Sequence, residues 1–182
     1  MPMSENKEFN IFLSRLEKLS DEHRQEAALK RHESGNRTAR ENLKHLIDED
    51  SFIEFGAFAV AAQRSRKEYD ALQIETSADG VITGFCEINS NEIGKENSHA
   101  VAIIYDYSVL AGTQGYFHHH KLDRIIDKAK KYSLPVVIYT EGGGGRPGDV
   151  DVKTQIAGLN VPTFSRWASL TGSSLRIAVN NG

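Results

Sequence analysis

The chain has 182 residues, an apolar fraction of 39% and a formal net charge of −3, which fits one soluble domain with a sizeable core and leaves no electrostatic footprint for nucleic acid. No window reaches the apolar length of a membrane span, and the polar opening Met1-Pro2-Met3-Ser4-Glu5-Asn6-Lys7 lacks the features of a signal peptide. A cytoplasmic location is the default expectation.

From Glu8 to about His32 the pattern predicts one amphipathic helix, with Phe9, Phe12, Leu13, Leu16 and Leu19 at three- and four-residue steps between charges. Such a segment serves as an arm that packs on a body or on another subunit. Ser34-Gly35-Asn36 ends it. Thr38, with Glu41 three residues on, has the spacing of a capping box and predicts a second helix carrying Leu43, Leu46 and Ile47. That helix stops at Asp48-Glu49-Asp50.

Ser51 to Phe58 alternates weakly and predicts a short strand or extended segment. Arg64-Ser65-Arg66-Lys67-Glu68 is an exposed loop whose charge is ordinary solvated surface, with a phosphate contact as the alternative. Ala78-Asp79-Gly80 turns the chain into an alternating strand from Val81 to Ile88, and Asn89-Ser90-Asn91-Glu92 ends it. The single cysteine, Cys86, lies in this strand. It has no partner for an internal disulfide and no neighbouring base, so it is packing rather than a nucleophile.

His99 to Tyr107 is the next strand. Val101, Ala102, Ile103 and Ile104 are too continuously apolar for a one-sided sheet, which favours an α/β arrangement covered on both faces. A loop with two glycines, Asp106 to Gly115, leads to a helix from about Tyr116 to Tyr132. Leu122, Ile125, Ile126 and Ala129 form its core face, and Lys121, Arg124, Lys128 and Lys130 are expected to point outward. Within it, His118, His119 and His120 follow one another at about 100° around the axis and do not converge on one metal. Their expected role is structural or at the surface. A strand from Val136 to Tyr139, a helix around Thr163 to Leu170 and a strand from Leu175 to Val179 complete the order.

Between the last two strands stands Thr140-Glu141-Gly142-Gly143-Gly144-Gly145-Arg146-Pro147-Gly148-Asp149. Consecutive glycines give up side-chain burial and lose the most entropy on ordering, yet they permit positive φ and present bare N–H groups to a ligand at close range. A backbone site for an anionic oxygen is the functional reading, and a flexible turn is the plain one. Arg146 and the stiff exit Pro147-Gly148-Asp149 favour a shaped segment. A nucleotide-binding P-loop is disfavoured, because Gly145-Arg146-Pro147 offers neither its lysine nor its magnesium-binding hydroxyl.

Several segments in order resemble the carboxyltransferase subunits and domains of biotin-dependent acyl-CoA carboxylases. They are His32 to Glu41, Asp50 to Phe58, Asp79 to Gly84, Asp106 to Gly115 and the glycine loop. The sequence departs from the family at Gly35-Asn36, where Gly-Lys is common, and at Glu141 to Arg146, where many members have Asp-Ser-Gly-Gly-Ala-Arg. Asn36 stands where the family lysine is placed for a phosphate contact, so the resemblance carries no such contact to this position.

The resemblance implies an α/β, crotonase-like fold, a ββα superhelix. It divides the chain into a helical amino-terminal arm over residues 1–48 and an incomplete amino-terminal domain over 49–182. In the family the strand matching Leu175 to Val179 runs into a further glycine turn that supplies oxyanion-hole N–H groups, and a second crotonase-like domain supplies the biotin side. The expectation is therefore a fragment of a longer protein, inactive by itself.

The implied reaction moves a carboxyl group from carboxybiotin, held on a carrier domain, to the α-carbon of an acyl-CoA through an enolate. The freed biotin nitrogen acts as base, so no catalytic side chain is expected in this fragment. Biotin is the implied cofactor. The implied partners are acyl-CoA, biotin carboxyl carrier and biotin carboxylase components, and further copies of the chain in a homo-oligomer. The implied acyl-CoA contacts are Gly142, Gly143, Gly144, Gly145 and Arg146, with Ala111 and Gly112 as a second wall and Arg37 and Arg40 as partners of the CoA phosphates. No metal ligand is expected. A non-catalytic acyl-CoA-binding or assembly module is the rival reading.

Overall fold

In the computed structural model, which describes residues 6–152 and 161–180, the apolar run beginning at His99 becomes the central strand β3 (His99–Tyr105). Val101 and Ile103 face one side and Ala102 and Ile104 the other, all fully buried. Each isoleucine so buried contributes roughly 1.5–3 kcal/mol. The strand is covered on both faces, as its lack of alternation predicts.

Five strands form one sheet in chain order: β1 (Ile53–Glu54), β2 (Val81–Glu87), β3, β4 (Val136–Thr140) and β5 (Arg176–Asn180). The pairs β1/β2 and β2/β3 are antiparallel, whereas β3/β4 and β4/β5 are parallel. The helix α6 (Tyr116–Tyr132) makes the crossover from β3 to β4. The run β2, β3, α6 is a ββα unit.

One face of the sheet packs on α6 through Val81, Val101, Ile103, Leu122, Ile125, Ile126, Ala129 and Ile138. The other face packs on α3 (Ala39–Leu46) through Ala39, Leu43, Ile82, Cys86, Ala100 and Ile104. The capping box of α3 is present as expected: Glu41 N–H donates to Thr38 Oγ1 at 3.0 Å, and Thr38 N–H donates to Glu41 Oε2 at 2.8 Å. Cys86 is buried, its thiol 3.6 Å from the Ala100 carbonyl, and burial pushes its pKa up to about 12. It is packing, as read.

Three expectations need correction. The single helix expected from Glu8 to about His32 is two, α1 (Lys7–Glu17) and α2 (Gln25–Glu33), separated by a 3₁₀ turn at Asp21–His23. The break lets Asp21 accept from Thr38 Oγ1 at 2.6 Å and turns Arg24 inward. The charged stretch 64–68 is exposed, but it leads into an unforeseen helix, α4 (Tyr69–Glu75). Lys121, expected outside, is 8% exposed and donates from Nζ to the carbonyls of Ala78, at 2.8 Å, and Val81. The Ala78 carbonyl belongs to a turn with left-handed φ at Ala78, Asp79 and Gly80, and the Val81 carbonyl to the first residue of β2, so the amine satisfies backbone where the turn joins the strand. Burial lowers its pKa to about 8.

The remaining elements are the helical turn α5 (Ser90–Ile93) and the short helix α7 (Thr163–Ala168), which lies against α6. No helix among the described residues is long and apolar enough to cross a membrane.

Candidate functional site

Parallel neighbours β3 and β4 release their following loops at the same end of the sheet, and the two loops meet there. A side chain at Gly112 would place its Cβ 2.5 Å from the Glu141 carbonyl oxygen and 2.6 Å from Gly142 Cα. Gly112 has φ +66° and Gly142 φ +145°. Both glycines are therefore demanded by close backbone approach and by conformation. Further on, Gln114 N–H donates to the Gly144 carbonyl at 2.7 Å and Arg146 N–H to the Gln114 carbonyl at 2.9 Å, a single parallel bridge that extends the sheet pairing into the loops.

Gly142, Gly143 and Gly144 are exposed. Among the described residues, the N–H groups of Gly142 to Gly145 donate to no protein acceptor. Gly143 lies over Ala111: a Cβ built there stands 3.4 Å from the Ala111 carbonyl oxygen, an ordinary contact. The exposed Ala111 is also one wall of a groove of about 760 Å³ between α2 and the loop after β3. Tyr107, Leu110 and Ile74 give this groove apolar surface, and Arg24, Lys30 and Arg31 line it together with Glu26 and Glu75.

Two arginines from the α2 segment fasten the two loops. Arg24 donates from Nη1 to Asp106 Oδ2 and from Nη2 to Ser108 Oγ, both at 2.7 Å. Arg31 donates from Nη1 and Nη2 to the two carboxylate oxygens of Glu141 at 2.7 and 2.8 Å. All four charged side chains of these pairs are about nine-tenths buried. Bidentate pairing of this kind fixes direction as well as distance.

Arg146 closes the far end of the glycine loop and points inward. It is 4% exposed, pairs with Asp79 and donates to the Thr113 carbonyl at 2.6 Å and Thr113 Oγ1 at 3.2 Å. Asp149 lies 3.6 Å from the same guanidinium and accepts from Tyr116 N–H at 2.8 Å, and Asp79 accepts from His118 N–H at 2.7 Å. Two carboxylates thus satisfy the first turn of α6, whose N-cap, Gly115, has no side chain to do so.

The histidines separate by position. His118 and His119 are buried and His120 is exposed. His118 Nδ1 lies 3.2 Å from the Asp79 carbonyl, which only accepts, so that nitrogen carries the proton. His119 Nδ1 lies 3.0 Å from Thr163 Oγ1, whose own proton goes to Asp123 at 2.6 Å. The Nε2 atoms of both rings have no partner among the described residues. Burial pushes both pKa values down, His118 well below the usual histidine range, with neighbouring Arg146 adding to the effect in each.

The structure brings Gly142 to Gly145, Ala111 and Gly112 together where the two loops meet, and of these Ala111 lines the groove. It does not bring Arg40 there: Arg40 is forked on Glu54 at 2.7 and 3.1 Å. Arg37 is exposed in the segment before α3, and its carbonyl accepts from Arg31 Nε at 3.2 Å. In the stretch 64–67, the N–H of Ser65 is taken by Asp151 at 2.9 Å and Lys67 pairs with Glu75. Sequence reasoning missed Arg24, Arg31, Tyr107 and Asp79. The available signal was Glu141 itself, a carboxylate beside bare glycines that needs a cation from elsewhere in the chain.

A model of the carboxyl transferase domain matches residues 30–162. The chain is 31% identical over 117 residues to the methylmalonyl-CoA decarboxylase subunit alpha of Propionigenium modestum, covering 64% of this chain and 21% of that one. It is 27% identical over 157 residues to the propionyl-CoA carboxylase beta chain of Saccharopolyspora erythraea, covering 86% and 26%. Among solved structures, a single-chain, multi-domain long-chain acyl-CoA carboxylase superposes with TM-score 0.89 at 45% identity, over 97% of this chain and 17% of that one. Transcarboxylase 12S shares the fold at TM-score 0.71 and 23% identity, over 100% of this chain and 32% of that one. The chain thus spans about a quarter or less of the length of these curated relatives. With its crotonase-like α/β architecture and a family match across well over half its length, the chain belongs to the carboxyl transferase domain family.

Proposed function

We propose that this chain forms the acyl-CoA side of a carboxyltransferase site, in a protein that moves a carboxyl group from carboxybiotin to an acyl-CoA. The observation that carries the reading is the glycine loop seated over Ala111, a residue that also lines the groove, with N–H groups that no protein acceptor takes among the described residues. Backbone donors fixed in place suit an oxygen that gains negative charge, as a thioester oxygen does when its α-carbon loses a proton, and one such donor is worth about 3 kcal/mol in related chemistry. The groove's mix of apolar surface and cations suits a pantetheine arm and its phosphates. Lys30, whose pair with Glu26 is solvent-exposed, is better placed for those phosphates than Arg40, which Glu54 engages in a largely buried fork.

The donors of the loop are backbone amides, which fit a carbonyl or enolate oxygen. Biotin supplies the carboxyl group from a carrier and is assigned to no residue of this chain. Arg146, buried among Asp79, Asp149 and Thr113, contributes by holding the loop. The arm over 1–48 and the partial domain over 49–182, a homo-oligomer, carrier and biotin carboxylase partners and a cytoplasmic location belong to the same reading.

Titration of the chain with acetyl-CoA and with a long-chain acyl-CoA tests the site. Saturable binding that Gly143→Val weakens without unfolding the protein is the expected result. Undiminished binding by that variant refutes the role of the loop.

A further inference from the structure

We propose that Arg31 is a positioning residue that sets the conformation of the glycine loop by gripping Glu141 at the loop's entrance. The two ends of the loop are held differently. Its exit is anchored by the buried Arg146 and by the bridge to Gln114. At the entrance the sheet pairing ends with Thr140 opposite Asn180. From there to the bridge, Glu141 is the residue whose side chain makes a polar contact with another part of the protein, and that contact is Arg31's fork.

The fork is itself aimed. Arg31 Nε donates to the Arg37 carbonyl at 3.2 Å, and the guanidinium lies over the Tyr107 ring at 5.4 Å. A planar group held along one edge and one face has little freedom left, so it transmits its position to both oxygens of Glu141. Arg24, seven residues earlier and about two helical turns away, does the same for Asp106 in the partner loop. The α2 segment therefore reaches both loops from one side. Arg31 and Tyr107 also line the groove, so whatever fills the groove touches the group that orients the loop.

The inference deepens the acyl-CoA reading, on which its binding arm rests, while its exchange arm stands without that reading. Arg31→Lys keeps the charge but not the fork, Arg31→Gln removes both, and Arg31→Glu with Glu141→Arg reverses the pair. Hydrogen exchange at Gln114, whose N–H donates to the Gly144 carbonyl of the loop, and at Arg146, whose N–H donates to the Gln114 carbonyl, is measured on the whole chain together with acetyl-CoA titration.

The expected result for Arg31→Lys is faster exchange at the bridge amides Gln114 and Arg146 and binding weaker by about tenfold, equal to about 1.4 kcal/mol. The reversed pair is expected to recover most of both effects, which a merely stabilising ion pair elsewhere would not do for the loop. If wild type binds no acetyl-CoA but the variants still loosen the loop and the reversed pair restores it, the positioning role stands and the ligand reading fails. If Arg31→Lys folds and leaves loop exchange unchanged, the proposal is overturned. The same holds if exchange rises uniformly across the sheet.

Discussion

Alanine at Gly112 is the most direct test of the contact between the two loops. An ideal Cβ there would meet the Glu141 carbonyl oxygen at 2.5 Å and Gly142 Cα at 2.6 Å. Both are backbone atoms of the neighbouring loop, so no flexible side chain can swing aside. The φ of +66° adds a left-handed penalty of about 1–2 kcal/mol for a non-glycine residue. Overpacking in a closed contact costs roughly 1–3 kcal/mol, so the two together place Gly112→Ala about 2–5 kcal/mol below wild type. Gly143→Ala is the control. Its Cβ would stand 3.4 Å from the Ala111 carbonyl and 3.6 Å from Thr113 Cγ2, and no positive φ opposes it. A change within about 0.5 kcal/mol is expected there. Urea unfolding of the two variants beside wild type, with the slopes compared, gives both numbers. A Gly112→Ala protein as stable as wild type would refute the back-to-back packing. A Gly143→Ala protein as damaged as Gly112→Ala would show that the loop sits deeper than its exposure implies.

Two further predictions concern the buried charges behind the loops. Arg146→Gln leaves Asp79 and Asp149, with side chains 0% and 3% exposed, facing each other without their cation; breaking a buried pair in this way costs about 3–5 kcal/mol, and a loss under about 1 kcal/mol in urea unfolding would contradict the role given to the arginine. Stability should also fall as pH drops below 6.5, the ordinary value for histidine. Both buried histidines have depressed pKa values in the folded state, so below 6.5 the unfolded chain binds more protons than the folded one. Each contributes a slope approaching about 1.4 kcal/mol per pH unit until its own folded pKa is passed. Unfolding measured from pH 7.5 to 5.0 should show this slope in wild type and a shallower one in His119→Asn, and equal slopes would count against the buried neutral rings.

The elements governed by local rules were legible in the sequence. Thr38 and Glu41 satisfy each other three residues apart, and the run Val101 to Ile104 has no polar side to expose. The glycine loop announced itself by composition. Its supports did not, because Arg31 is 110 residues from Glu141, Arg24 is 82 from Asp106 and Arg146 is 67 from Asp79. No periodicity carries such pairings. Lys121 was legible in part: it follows His118 by three residues and precedes Ile125 by four, on the buried face of α6. Reading its charge as outward overlooked that face, since the carbonyls of a left-handed turn and of the first residue of β2 offered the amine its partners. The break between α1 and α2 was hidden because apolar spacing continues through Leu19 while the backbone tightens to a 3₁₀ turn.

The packing of Gly112 against Gly142 also bears on how the protein folds. A slip of one residue between the parallel strands β3 and β4 would carry the following loops past each other by about 3.3 Å. Glu141, or Ala111 or Thr113, would then arrive where the backbones leave no room for a Cβ. The glycine contact therefore proofreads the register of the sheet, and a chain with mispaired strands is denied the closed loops as well as the correct core.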